Sequence, residues 1–397
     1  MFADKYIGKN HLSELIQEPP HPDLGISVVI PCLNEPDLLQ TLQSLWICKL
    51  PSISVEVILI INHSEAAPAN IKAQNLNTRM EVESWIAENN KPGLRFFPVG
   101  PVELKKKWAG AGLARKRGMD EAVCRFNQVK NPGGVIVSLD ADTLVDENYL
   151  IDIDRHFREH PSHVGATLAF QHQTAKLSEK HLRGILLYEQ YMTYYKNALS
   201  YTGYPYPMFT VGSAFAVRAD AYVRRGGMNR RQAGEDFYFL QNLVLLGPVG
   251  EIRSTTVHPS ARLSTRVPFG TGPVLKKWMN GEEDLTKTYN FQAFADLKQL
   301  FDVKDLFYKI LEKDYQELIS SLPASVGEFL KQDVFWQDIA VLNENCSQLS
   351  TFQNRFFQKF NAFKILKYLN FTHGTHYEKA CIFEQINGLE ANSKMNN

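Results

Sequence analysis

Four short apolar runs fix what this chain can fold into: ISVVIP (26–31), VEVILII (55–61), LRFFPV (94–99) and VIVSLD (135–140). Each is too short for a buried helix and rich in β-branched or aromatic residues, so each reads as a strand. Between them lie stretches with helical spacing. Residues 36–47 place Leu38, Leu39, Leu42, Leu45 and Trp46 on one face, with Pro36 suited to a first turn. Further helices are expected near 79–90 and 109–126. Near-continuous apolar strands alternating with helices predict an α/β domain with a mostly parallel sheet and flanking helices, because such strands are covered on both faces.

Ligands of such sheets bind at the carboxyl ends of the strands, beside the point where strand order reverses. Three of the four expected strands end in polar residues: Asn34 and Glu35, then Asn62 and His63, then Asp140 and Asp142. Beyond residue 210 the pattern changes. A strand, turn and short helix are expected in TVGSAFAVRADAYVRRGG, a helix over 234–247 opening on Glu235 and Asp236, and a last strand in GEIRSTTVHPSARL. From about 275 the chain reads as helical. We therefore expect an extension over 1–24, a catalytic domain over 25–272 and a mainly helical region over 273–397.

Lys+Arg and Asp+Glu both number 43 in 397 residues, which argues against a nucleic-acid binder. The five cysteines are scattered without CxxC spacing and read as free thiols of a reducing compartment. No signal-like or membrane-spanning apolar run stands out, so a cytoplasmic protein is expected. The aromatic stripe Phe352, Phe356, Phe360 and Phe363 reads as a docking face, with a peripheral membrane contact as its second reading.

The acids at the end of VIVSLD raise the chemical question. Asp140 and Asp142, alternating at a strand end, would point the same way and share one hard cation, Mg²⁺ or Mn²⁺; local turn hydrogen bonds are the alternative. A cation held by two carboxylates takes the rest of its ligands from phosphates, so phosphate binders are sought next. KKKWAGAGLARKRG (105–118) offers Arg115, Lys116 and Arg117 behind small residues. It is neither a P-loop nor the dinucleotide fingerprint, and its basic residues could equally be a solvated helix face. Of Glu235 and Asp236, one can cap the helix while the other faces the cleft as a base. His258 ends a strand and can act as a neutral imidazole ligand.

Taken in order, ISVVIPCLNE, GLARKRG, SLDAD, GGMNRRQAGEDFYF and VHPSARLSTR resemble the family 2 glycosyltransferases of the GT-A fold, a Rossmann-like nucleotide-sugar domain, over about 25–270. The resemblance implies a hexosyl-type transfer from a nucleotide-diphosphate sugar to an acceptor hydroxyl, with inversion and a divalent metal, Mn²⁺ or Mg²⁺. It puts Pro31, Asn34, Glu35, Asn62, Arg115 and Asp140 at the nucleotide, Asp140, Asp142 and His258 at the metal, and Asp236 as base beside Glu235. Asn62 stands where the family usually has a base-reading Asp, and Lys116 where it usually has Asn. The donor is therefore left as UDP- or GDP-linked. The segment LSTRVPFGTG (263–272) is expected to close over the donor, with Arg262 and Arg266 as diphosphate partners.

Three other readings stay open. A retaining transferase of the same fold, acting on a small phosphorylated acid, would keep the metal but not need Asp236. A catalytically inactive sugar-nucleotide scaffold would be expected to lack one of the acids. A nucleotidyltransferase should carry a glycine-rich loop where CLNEPD stands. The Tyr-rich stretch 188–207 is read as an acceptor platform or as core.

Overall fold

The structure, a computed structural model, describes residues 1–229, 234–264 and 270–395. It divides into two compact units, one of residues 1–177 with 210–276, the other of 178–209 with 277–397. The division is not linear along the chain, as the sequence pattern alone suggested. A helix inside the expected catalytic domain belongs with the C-terminal helices, and residues 1–24 belong with the first unit.

The first unit runs α1 (Asp4–Asn10), β1 (Leu24–Cys32), α2 (Leu38–Ile47), β2 (Ser54–Ser64), α3 (Ala69–Glu88), β3 (Leu94–Leu104), α4 (Ala111–Gln128), β4 (Val135–Ser138), β5 (Leu144–Val145), α5 (Tyr149–Glu159) and β6 (Gly165–Phe170). After α6 (Glu179–Tyr201), which lies in the second unit, come β7 (Phe215–Arg218), α7 (Ala219–Arg225), α8 (Glu235–Leu243) and β8 (Val249–His258). The sheet order is β3-β2-β1-β4-β7-β6-β8-β5. Its first four strands are parallel, β7 runs antiparallel to both β4 and β6, β6 and β8 are parallel, and β5 is antiparallel to β8. The α/β architecture is as expected. The sheet is parallel in its N-terminal half and mixed beyond β4, because β7 follows a helical excursion and re-enters from the opposite end.

β1 lies between β2 and β4, so the chain winds first one way and then the other from it. The carboxyl ends of β1 and β4 flank that reversal, where a ligand crevice forms in sheets of this kind. The strands bury both faces: Val55 to His63 of β2 are buried without a break. Glu56 sits in this run because Arg125 of α4 meets it with a two-pronged ion pair, Nε to Oε2 at 2.6 Å and Nη2 to Oε1 at 2.7 Å. Gly118 lets α4 press onto the sheet, since any side chain there would run into Val29. β3 tolerates Pro98 and Pro101 because it is the sheet's edge.

α3 begins ten residues before its expected start. Its buried face is Asn75, Thr78 and Val82, two polar residues and one apolar, so hydrophobic spacing could not reveal it.

In the second unit the helices after α9 (Thr271–Asn280) and β9 (Lys287–Thr288) are α10 (Phe291–Asp302), α11 (Glu312–Ser321), α12 (Ala324–Gln332), α13 (Phe335–Asn345), α14 (Leu349–Lys359), α15 (Ala362–Thr375) and α16 (Ile382–Met395). Phe352, Phe356 and Phe360 are buried and pack against Phe301, Phe307 and Phe335. These three rings are core, which leaves them no face for a membrane. Within the Tyr-rich stretch, Tyr194 and Tyr204 are buried too, Tyr194 donating its hydroxyl to Tyr289 O at 2.9 Å. No described helix is long and apolar enough to cross a membrane, and all five cysteines are free.

Several imidazoles are folded away in the neutral form. His373 Nε2 accepts the Asn290 N–H at 2.7 Å and its Nδ1 faces Leu369 O at 2.7 Å; burial lowers its pKa. Burial, with His163 and His160 alongside, pushes His156 down to about 4. The unfolded chain takes up these protons near pH 6.5 and the folded chain only lower. The contribution of these imidazoles to stability is therefore full above about pH 6.5 and falls as pH drops toward 4. Urea denaturation at pH 7.5 and 5 checks this, and His156→Gln, which takes no proton, should flatten the decline.

Candidate active site

Parallel pairing of β1, β2 and β4 brings their polar ends to one edge of the first unit. Leu139 N still bonds to Val29 O at 3.1 Å, but β4 ends at Ser138 and Thr143 N closes a turn on Asp140 O at 3.2 Å. Asp140 and Asp142 thus lie on a turn, where strand alternation no longer aligns them, and they go to different partners. Asp140, 37% exposed, accepts from Arg115 Nη2 at 2.5 Å. Asp142, 21% exposed, meets Arg262 Nη2 at 2.8 Å. Arg262 in turn forks onto both carboxylate oxygens of buried Glu35. Every expected acid of the strand ends is held by an arginine from elsewhere in the unit.

Arg115, in the second turn of α4, is the hub. It is 3% exposed, with Nη1 on Glu235, Nη2 on Asp140 and Nε without a hydrogen-bond partner among the described residues. Burial works against its charge, but Glu235, Asp140 and Asp236 more than offset that and hold its pKa above the usual value. Glu235 and Asp236 open α8 as expected. They divide the work: buried Glu235 neutralises Arg115, while half-buried Asp236 accepts the Phe237 N–H at 2.7 Å. Burial first, then the Glu235 charge, pushes the Asp236 carboxyl up to about 7, with Arg115 pulling the other way. Gly212 is the neighbour that leaves room here. A Cβ on it would lie 3.0 Å from Arg115 Nη2 and 3.3 Å from Asp236 Oδ2, and Ser138 Oγ pins its carbonyl at 2.6 Å.

Other residues are placed differently from expectation. His258 does not join Asp140 and Asp142; its Nε2 meets Asp146 Oδ1 at 2.9 Å and its Nδ1 Gln171 O at 3.1 Å. The antiparallel pairing of β5 with β8 sets Leu144 opposite His258, which draws the imidazole past the acids to Asp146. Among the described residues no three His, Cys, Asp or Glu side chains gather to hold a metal ion. Asn62 is turned into the sheet: its amide NH₂ donates to Cys32 O at 2.9 Å and Ile60 O at 3.2 Å. It ties the ends of β1 and β2 together, so that NH₂ does not read a base. Lys116 points away from the acids into the protein. Pro31 lies within β1 opposite Ile60. Arg266 lies outside the described residues, as does half of the expected closing segment.

Two positioning side chains had no sequence signature. Asn75 of α3 accepts the Asn34 N–H at 2.9 Å and donates to Asn62 O at 2.7 Å, holding the β1 turn in which Asn34 takes φ 49°. Gln173 bridges Asp142 O at 2.9 Å and His258 O at 2.7 Å, joining the acidic turn to the end of β8. A polar residue inside a polar helix or loop carries no pattern that would single it out.

Residues 135–326, which hold the acidic turn, Gly212 and the Glu235-Asp236 helix, match the family described as Glycosyl transferase family group 2. No curated protein matches the chain. Among solved structures, S. aureus TarS 1–349 in complex with UDP-GlcNAc is 12% identical with a TM-score of 0.41, over 84% of this chain and 92% of that one. S. aureus TarS 1–349 in complex with UDP is 11% identical with a TM-score of 0.39, over the same shares. The family match is to residues 135–326, somewhat under half of the chain.

Proposed function

We propose that the protein moves a sugar from a nucleotide-diphosphate sugar, UDP- or GDP-linked, to an acceptor hydroxyl with inversion at the anomeric carbon. The observation that carries this reading is the place of Asp236, a half-buried carboxylate at the mouth of α8, next to buried Glu235 and against Gly212; burial and the Glu235 charge raise its proton affinity, as a general base needs. It stands beside an arginine that links it to the acidic turn at the sheet reversal. The acceptor hydroxyl oxygen attacks the anomeric carbon, the bond from that carbon to the diphosphate oxygen breaks, and the hydroxyl proton passes to Asp236. Attack opposite the leaving group inverts the configuration.

Asp140 and Asp142 are part-exposed oxygen donors without a His or Cys ligand, which fits Mg²⁺ or Mn²⁺ completed by phosphate and water. Such an ion, when bound, would neutralise the diphosphate as it leaves. Arg262, now shared between Glu35 and Asp142, is placed to turn to the diphosphate when the donor arrives.

Calorimetry with UDP and with GDP, each with and without Mn²⁺, tests the reading on wild type and Asp142→Asn. One nucleotide should bind with a micromolar Kd, weakened about tenfold or more by omitting Mn²⁺ or by the substitution. Binding of neither nucleotide to wild type would sink it.

A further inference from the structure

Lys116 stands beside Arg115 where the family resemblance leads one to expect Asn, and its placement joins it to a segment far from the family-matching region. Its Nζ lies 2.8 Å from Asp120 Oδ2 and 3.1 Å from the Tyr6 hydroxyl, all three side chains buried. Asp120 Oδ1 also accepts from the Tyr6 hydroxyl at 2.7 Å and the Tyr222 hydroxyl at 2.9 Å. One carboxylate therefore joins α1, α4 and α7.

The rest of residues 1–18 runs along the same helix. Asn127 accepts the Ala3 N–H at 3.0 Å and donates to Asp4 at 2.8 Å. Glu121 accepts the Leu15 N–H at 2.8 Å, and Arg125 donates to Glu18 O at 2.9 Å. The Tyr6 hydroxyl also packs against Gly227, where φ is 77° and no side chain would fit. Tyr222, on the same carboxylate, packs its ring against Phe239 of α8, with centroids 5.6 Å apart. The two neighbours of this buried node are thus the helix that carries Arg115 and the helix that carries Asp236.

We propose that residues 1–18 are a brace for the active site, with Tyr6 as a positioning residue that fixes Arg115 through Lys116 and α8 through Asp120 and Tyr222. Its effect on transfer rests on the function proposed above; its effect on the structure does not. A buried hydroxyl shared by an ammonium and a carboxylate is costly to remove from one side only, because the partners stay behind unsatisfied. The loss then loosens whatever those partners hold.

Amide hydrogen exchange on the full chain tests this with Tyr6→Phe, which keeps the ring and loses the hydroxyl. Exchange should quicken about threefold or more in 111–119 and 234–243, with β1 and β2 unchanged. The comparison variant Glu121→Gln touches the same segment away from the node and should quicken only 12–18. In calorimetry, Tyr6→Phe should weaken binding of the nucleotide that wild type takes up by about threefold or more. Exchange that quickens only within 1–18 in Tyr6→Phe, or equally in both variants, would overturn the brace. If wild type binds neither UDP nor GDP, the proposed function fails while the exchange result still decides the brace.

Discussion

Asp236→Asn should lower sugar transfer by about 1,000-fold or more, within the range for losing a general base, while nucleotide affinity stays within about threefold. The Asn side chain keeps the shape and can still accept the Phe237 N–H, but it cannot take the acceptor's proton. In wild type the rate should rise with pH through about 7 and level off above, because only the ionised carboxylate serves as base. The stability effect has the opposite direction. The folded carboxyl holds its proton up to about 7, whereas the unfolded one releases it near 3.8. Its stabilising contribution is therefore full below about pH 3.8 and lost as pH rises through about 7. At pH 8 the folded protein carries an ionised, half-buried acid beside Glu235. Asp236→Asn should then be more stable than wild type by about 1–2 kcal/mol at pH 8, a gap that narrows toward pH 5. Urea denaturation at the two pH values measures it. A variant less stable than wild type at pH 8 would mean that Asp236 is not held against its charge.

The polar strand ends and the Glu235-Asp236 pair were legible in the sequence because each follows from a rule that short stretches obey. Apolar runs of four to eight residues mark buried strands, and a parallel order brings their ends together. The pairings were not legible, because they depend on partners far along the chain. Arg262 reaches Glu35 across the whole first unit, and Arg115 reaches Glu235. The expectation that Asp140 and Asp142 share one direction failed for a local reason: β4 stops two residues before Asp140, so strand alternation does not extend to either acid. His258 failed for a topological one, since the antiparallel β5 that brings Asp146 to it is two residues long. Lys116 looked like a phosphate binder within a basic run. Its role depends on Tyr6, which no spacing rule connects to it.

Arg115→Gln should be the most destabilising single change in the site, by about 3–5 kcal/mol, the usual cost of removing one member of a buried ion pair. It leaves Glu235 buried and Asp140 and Asp236 close by, three carboxylates without their common cation. Because Arg115 is what pulls the Asp236 carboxyl down, its loss should also move the midpoint of the pH–rate profile above 7. Arg115→Lys keeps one charge but not the planar fork that reaches Glu235 and Asp140 together, so it should fall between wild type and Gln. Two causes of the loss can be told apart by a second substitution. If uncompensated charge is the cause, Arg115→Gln combined with Glu235→Gln should recover about half or more of the stability, since the buried acid goes with its partner. A double variant as unstable as Arg115→Gln would assign the loss to packing around α4, and the electrostatic account of how Asp236 is tuned would fail with it.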